Sequence, residues 1–283
     1  MGHHMVMTRV AESTNWEDEI NKMQQMDDDL MMTFALTEGN DTLGDVSLSD
    51  DRILTFTNKQ GDYKKIPYYV STKGITLAKP LEVNGKSLQE LNYNTEDMSF
   101  TPEGTTAQGM KLSVMVPENY MKYGEFAGDY NMATYWGASK LTLHLVPAGD
   151  GKTYLLKGMN ANFDLTLTYD KSTGTLNLNT QHLFDVNGNQ LWLCGWNAFG
   201  EGYYTWSTDA GMVISRDLSK QGTVLTFEPN DYAGLTTDSF ILVLFSGTPS
   251  SNTRVGSAKG MSSLYIQPGD YRLVGPITLT KIN

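Results

Sequence analysis

Apolar and polar residues alternate with a period of two through most of the second half of the chain. In residues 141–145, 163–169 and 176–179, a leucine, phenylalanine or tyrosine occupies every second position and polar residues lie between. This pattern predicts strands that turn one face toward a core and the other toward water. Short segments rich in glycine, asparagine and aspartate separate these strands, so neighbours in sequence are expected to pair antiparallel. Further strands are predicted at 212–216, 222–228, 239–246, 263–267 and 271–281.

The first third of the chain shows a different pattern, which begins with the single predicted helix. Residues from about 14 to 36 combine capping-box spacing at Thr14 and Glu17 with apolar side chains that fall on one helical face. Asn84 and Gly85 then predict a hairpin, because both residues tolerate the positive φ of a type I′ turn. Short strands are predicted on both sides of that turn, and the segment up to about residue 124 is polar and weakly patterned.

Together these patterns predict a mainly β protein with two domains. Residues 12–115 are expected to form a small domain in which the helix packs on a short sheet. Residues 125–283 carry near a dozen short strands, which leaves two economical folds, an antiparallel barrel or a two-sheet sandwich. A chain of 283 residues is long enough for two separate cores.

Composition excludes several classes of protein. The formal net charge is −11 and the five arginines are scattered, which argues against a nucleic-acid partner. The longest apolar run, residues 240–245, is far shorter than the roughly 20 residues of a membrane-spanning helix. Cys194 is the single cysteine, so no intrachain disulfide is possible, and its apolar neighbours predict a buried, unreactive thiol.

The segment from Gln190 to Trp206 holds three of the five tryptophans and is the strongest candidate for a binding site. In a strand over 191–196 the leucines point to one face, while the tryptophans and Cys194 point to the other, so both faces are apolar. Such rings either close one end of a β fold or stack on a ligand such as a sugar. The candidate ligand-binding residues are Trp192, Trp196, Tyr203, Tyr204 and Trp206.

Other constellations give weaker signals. The carboxylates of Glu201, Asp209, Glu228 and Asp231 would serve glycoside hydrolysis only if two of them faced one cleft. The histidines and Cys194 show no metal-ligand spacing, and no phosphate-binding glycine loop is present. We therefore predict no catalytic residues, no metal site and no cofactor.

Two parts of the chain resemble known proteins. Residues 66–85, a tyrosine-rich strand followed by a Gly-Ile-Thr-Leu step and a Pro-Leu strand, and the closing Leu-Asn-Tyr-Asn at 91–94 resemble an uncharacterised family of surface lipoproteins of gut Bacteroidetes. That resemblance covers about residues 30–100. The second half is similar in style to lipocalin-like domains of the same bacteria, which often begin with Gly-x-Trp where residues 128–130 read Gly-Asp-Tyr. The resemblance implies a lipid-anchored protein of the outer membrane that accompanies glycan-uptake systems.

The functional expectation is a non-enzymatic binding lipoprotein, facing the cell surface or the periplasm, for a glycan or a small hydrophobic ligand. Membrane contact is expected only through a lipid anchor that lies outside this sequence. The alternative is a structural or assembly lipoprotein without a small-molecule ligand, whose aromatic residues are buried. A glycoside hydrolase is the third possibility.

Overall fold

A computed structural model describes residues 32–257 and 272–283 of the chain. The chain divides between Met115 and Val116 into two compact units. In the described residues no helix is both long and apolar enough to cross a membrane.

The first unit is a closed barrel of eight antiparallel strands that follow one another in sequence order. The barrel closes because β1 pairs with both β2 and β8. Apolar side chains at alternate positions fill the interior, as Phe34, Leu36 and Val46 do, each of them 0% exposed. The strands are β1 (Thr33–Glu38), β2 (Asp41–Leu48), β3 (Ile53–Asn58), β4 (Tyr63–Val70), β5 (Gly74–Val83), β6 (Lys86–Asn94), β7 (Ser99–Pro102) and β8 (Met110–Val114).

Two sequence predictions meet different outcomes in this unit. The hairpin at Asn84-Gly85 is confirmed, since it joins β5 to β6 and both residues have positive φ, 52° and 76°. The predicted helix is wrong over its last residues, because residue 32 is a bend and residues 33–36 belong to β1; residues 14–31 lie outside the described part of the chain. Phe34 and Leu36 are inward positions of a strand hydrogen-bonded on both sides, and that pairing overrides a helical pattern. The sheet is also larger than expected, since β7 and β8 lie in the segment that appeared weakly patterned.

The second unit is built on another closed antiparallel barrel of eight strands, which the chain leaves twice. The order around the barrel is β9, β10, β11, β12, β13, β17, β18 and β24, which pairs back with β9. A 3₁₀ helix, Tyr123–Phe126, precedes the first strand. These strands are β9 (Gly128–Thr134), β10 (Gly137–Pro147), β11 (Thr153–Lys157), β12 (Leu165–Asp170), β13 (Thr175–Asn179), β17 (Gly211–Arg216), β18 (Val224–Glu228) and β24 (Thr278–Lys281).

The two excursions from this barrel form a second sheet, called here the cover sheet. Its central strands are β15 and β21, with β14 and β16 along the outer side of β15 and β22 and β23 along that of β21. A separate hairpin pairs β19 with β20. The bounds are β14 (Gln181–Val186), β15 (Asn189–Trp196), β16 (Tyr204–Thr205), β19 (Asn230–Tyr232), β20 (Leu235–Thr237), β21 (Ser239–Phe245), β22 (Arg254–Ser257) and β23 (Arg272–Val274).

The interior of the second barrel is filled by its own side chains. At one end the segment 117–127 forms a plug, to which the hydroxyls of Tyr169 and Tyr130 donate hydrogen bonds at 2.7 Å, accepted by the carbonyls of Met121 and Phe126. At the other end the inner face of the cover sheet joins the barrel core. The predicted antiparallel β architecture is therefore confirmed, and its form is the barrel. The strand predicted at 263–267 lies outside the described residues.

Candidate functional site

Strand β15 has two apolar faces, as the sequence predicts. Leu191 and Leu193 are fully buried in the core that the barrel shares with the cover sheet. Cys194 lies on the opposite face and packs with Val243 and Phe245 of β21. This opposite face is the outer face of the cover sheet. It carries most of the aromatic residues that we identify as candidates from sequence.

Trp192 and Cys194 are largely engaged within this outer face. The Trp192 indole stacks on His182 of β14 with ring centroids 5.5 Å apart, and its Nε1 donates to the side chain of Gln190 at 3.0 Å. Cys194 is fully buried, and burial raises the pKa of its thiol to about 12. The predicted burial of the thiol is thus confirmed, and its lack of reactivity stays a prediction.

The segment of β16 lays two rings against the outer face. Tyr204 packs against the cluster that contains Cys194, and burial raises the pKa of its hydroxyl. Trp206 meets Phe245 edge-on, with centroids 5.9 Å apart, and keeps 38% of its surface exposed. The guanidinium carbon of Arg254 lies 5.3 Å from the centre of the Tyr204 ring. We call Tyr204, Trp206, Phe245 and Arg254 the sheet cluster.

The loop between β15 and β16 is held in place by hydrogen bonds within the second unit. Asp238 accepts from the backbone N–H of Ala198 at 2.8 Å and of Phe199 at 3.3 Å. The indole Nε1 of Trp196 donates to the carbonyl of Gly202 at 3.0 Å. These bonds hold the backbone that presents Phe199 to solvent.

Three exposed rings lie together beside the cover sheet, and the ring of Tyr135 contacts the other two. Tyr135 and Trp136 form the two-residue turn between β9 and β10, and Phe199 comes from the loop described above. The Tyr135 centroid lies 5.9 Å from that of Trp136 and 5.6 Å from that of Phe199. Their exposed fractions are 59%, 47% and 60%, respectively. We call these three residues the turn cluster.

The cover sheet also connects the turn cluster to a cation. Arg272 of β23 places its guanidinium carbon 5.0 Å from the centre of the Trp136 ring. The backbone N–H of Tyr135 donates to the carbonyl of Val274, two residues further along β23, at 3.0 Å. The turn is therefore attached to the edge of the cover sheet by its backbone as well as by its rings.

The five candidates divide by exposure. Tyr203 is 64% exposed and Trp206 38%, whereas Trp192, Trp196 and Tyr204 are half-buried and have partners within the fold. The alternative of a structural protein expected these aromatic residues to be buried, and Tyr203 and Trp206 are not buried. Sequence reasoning missed the turn cluster. The signal was two consecutive aromatics just before Gly137, in a turn too short to return them to the core.

The candidate carboxylates lie in different local settings. Glu228 accepts from the hydroxyl of Ser215 at 2.8 Å, Asp209 from that of Tyr232 at 3.1 Å, and Asp231 from that of Thr236. Glu201 is exposed in the loop that follows β15. Within residues 32–257 and 272–283, no group of three or more His, Cys, Asp or Glu could hold a metal ion.

A polar groove of about 580 Å³ opens elsewhere on the second unit. Carboxylates of Glu118, Asp217 and Glu228 line it together with Arg216. The groove contains no aromatic ring, and it lies beside the turn that joins β17 to β18. It therefore lacks the stacking surface that the two clusters provide.

The fold and the site define a protein of two all-β units, the second of which displays exposed aromatic residues beside a covered barrel. Two family models match the chain. One, described as a domain of unknown function (DUF4302), matches residues 1–95, and another, DUF4987, also a domain of unknown function, matches residues 103–243. The first match overlaps the segment that resembles an uncharacterised family, and is consistent with it. No curated protein and no solved structure matched the chain.

Proposed function

We propose that this protein is a non-enzymatic binding lipoprotein of the cell surface or periplasm, and that its second unit binds a glycan. The observation that carries the proposal is the turn cluster, three contacting rings that are 47–60% exposed on a hydrogen-bonded support. The lipid anchor and the outer-membrane location rest on the resemblance of residues 66–94 to surface lipoproteins.

Aromatic rings of this kind suit a sugar better than a small apolar ligand. A pyranose ring has an apolar face that packs on an aromatic ring and a polar edge that hydrogen-bonds with water or with side chains. Tyrosine and tryptophan offer the matching combination, a large apolar surface with one polar atom. Exposed rings that the fold already holds in place lose little conformational entropy on binding.

The interior of the second barrel does not favour the binding of a small hydrophobic ligand. Barrels that carry such ligands hold them in an open lumen. Here Tyr130, Tyr154 and Leu167 are fully buried among neighbouring side chains of the lumen. The plug and the cover sheet meet the two ends of the barrel. A binding surface outside the barrel is therefore the arrangement that this fold favours.

The first test is affinity electrophoresis of the whole chain through gels that contain plant or host polysaccharides. Any glycan that retards the protein is then titrated against it, with tryptophan fluorescence as the signal. Trp136→Ala and Phe199→Ala should each weaken binding by about tenfold or more, as expected for an aromatic anchor. Tyr69→Ala is the matched control, since Tyr69 is a 66% exposed ring in the first unit.

Two results would contradict the proposal. One is a wild-type protein that no polysaccharide in the panel retards. The other is retention of full affinity in both turn-cluster variants, which would place binding elsewhere. An equal loss in Tyr69→Ala would show that the assay measures general stickiness of exposed rings.

A further inference from the structure

Arg254 occupies an unusual position on the outer face of the cover sheet. It begins the edge strand β22 and pairs with Phe245 of β21, so its side chain lies on the same face as that ring. Its guanidinium packs over Tyr204 at 5.3 Å from the ring centre. In the described ranges, no carboxylate forms an ion pair with it.

Among the residues that the structure describes, none accepts a hydrogen bond from the edge of this guanidinium. Arginine stacks on an aromatic ring through its flat face, and its N–H donors point outward in the plane of the group. Two of those donors match the two oxygens of one carboxylate. The contact with Tyr204 therefore keeps the Arg254 guanidinium on the outer face, where an anion can reach its donors, and Trp206 presents an exposed ring on the same face.

The charge distribution along the chain opposes an anionic ligand less at the second unit than at the first. Residues 1–115 contain 10 Lys and Arg against 18 Asp and Glu, so their net charge is −8. Residues 116–283 contain 11 against 14, so theirs is only −3, and the central strands β15 and β21 have no charged residue. At physiological salt, charges more than about 8 Å away are largely screened. The charge that an anion meets at Arg254 is therefore set mainly by the groups within that distance.

We infer that the glycan recognised by the second unit is acidic, and that the sheet cluster binds a uronic acid residue. Arg254 pairs with the sugar carboxylate, and the exposed ring of Trp206 packs on the sugar. This inference rests on the proposed function, because it names the class of glycan that the second unit binds. It adds a requirement that the turn cluster alone does not impose, a negative charge on the sugar.

The experiment compares two glycans that share a backbone and differ in charge. Polygalacturonate is paired with its methyl ester, and hyaluronan with its carboxyl-reduced form, each titrated against the full chain. The wild type should bind the acidic member of at least one pair about tenfold or more tightly, as expected for a hydrogen bond to a charged group. Arg254→Gln should remove this preference, and Arg254→Lys should restore only part of it, because lysine lacks the planar fork.

The matched control is Lys220→Gln, which makes the same change of charge at an exposed site on the turn between β17 and β18. That variant should keep the preference for the acidic member. Equal binding of both members of each pair, or an unchanged preference in Arg254→Gln, would overturn the acidic-glycan inference and leave the proposed function standing. A wild-type protein that binds none of the four glycans and no polysaccharide of the wider panel would overturn the proposed function itself.

Discussion

Replacing Leu193 by alanine tests whether the cover sheet and the second barrel share one core. Leu193 is fully buried on the inner face of β15, within the cluster that includes the barrel leucines. The substitution removes three carbon atoms from that core. At about 0.8 kcal/mol for each buried methylene group, the transfer loss is about 2.4 kcal/mol. The cavity left behind raises the expected total to about 2–5 kcal/mol.

The measurement is equilibrium unfolding in urea, followed by tryptophan fluorescence. Four of the five tryptophans, at 136, 192, 196 and 206, lie in the second unit, so its unfolding dominates the signal. The midpoint should fall by the equivalent of 2–5 kcal/mol with an unchanged slope. Leu218→Ala is the matched control, because Leu218 is a 48% exposed leucine of the same unit and should change stability by less than about 0.5 kcal/mol.

A loss below about 1 kcal/mol, close to that of the control, would contradict the shared core. So would a biphasic curve in which the barrel keeps its wild-type midpoint while the cover sheet unfolds earlier. Either result would mean that the cover sheet lies on the barrel without being part of its cooperative unit.

Two further predictions concern titratable groups of the second unit. Burial raises the pKa of Tyr154 to about 12, and those of Tyr130 and Tyr169 also lie above the ordinary 10.0. Because the folded state holds these protons more tightly, their stabilisation is complete below about pH 10 and is lost as the pH rises through 12. Urea midpoints that stay constant from about pH 8 to pH 12, or tyrosinate absorbance that appears near pH 10 in the folded protein, would refute this. The Cys194 thiol, with its pKa raised to about 12, should resist a disulfide reagent at about pH 8 until denaturant is added, and complete labelling of the folded protein within seconds would contradict its burial.

The features that sequence predicted well depend on neighbouring residues. The Asn84-Gly85 turn follows from the backbone freedom of two residues, and the two faces of β15 follow from the period of a strand. In each case the structure is determined by residues only a few positions apart in the sequence. The alternation at 163–169 and 176–179 likewise predicted β12 and β13, because one face of each strand had to be buried.

The features that sequence missed depend on pairing over long distances. β1 closes the first barrel by pairing with β8, and β15 finds its partner β21 some fifty residues later. Turn residues show where a strand ends, but they do not show which later strand it joins. The helical pattern near Phe34 failed for this reason, since its apolar spacing fits a helix locally and only the barrel provides partners on both sides. The turn cluster was missed because it joins a turn at 135–136 to a loop at 199.

The two aromatic clusters arise from the same architectural requirement and differ in what they reveal about function. A sheet that covers a barrel end must be apolar on its inner face, and in β15 and β21 its outer face is apolar as well. Tyr204 and Trp206 pack on that outer face, over Cys194 and Phe245, so the sheet cluster stabilises the fold even without a ligand. The rings of Tyr135 and Phe199 cover little and stay about 60% exposed. Exposed rings in contact carry a cost in solubility that packing does not explain. Variants of the turn cluster therefore test binding with little change in stability, whereas variants of the sheet cluster need the charge-specific comparison at Arg254.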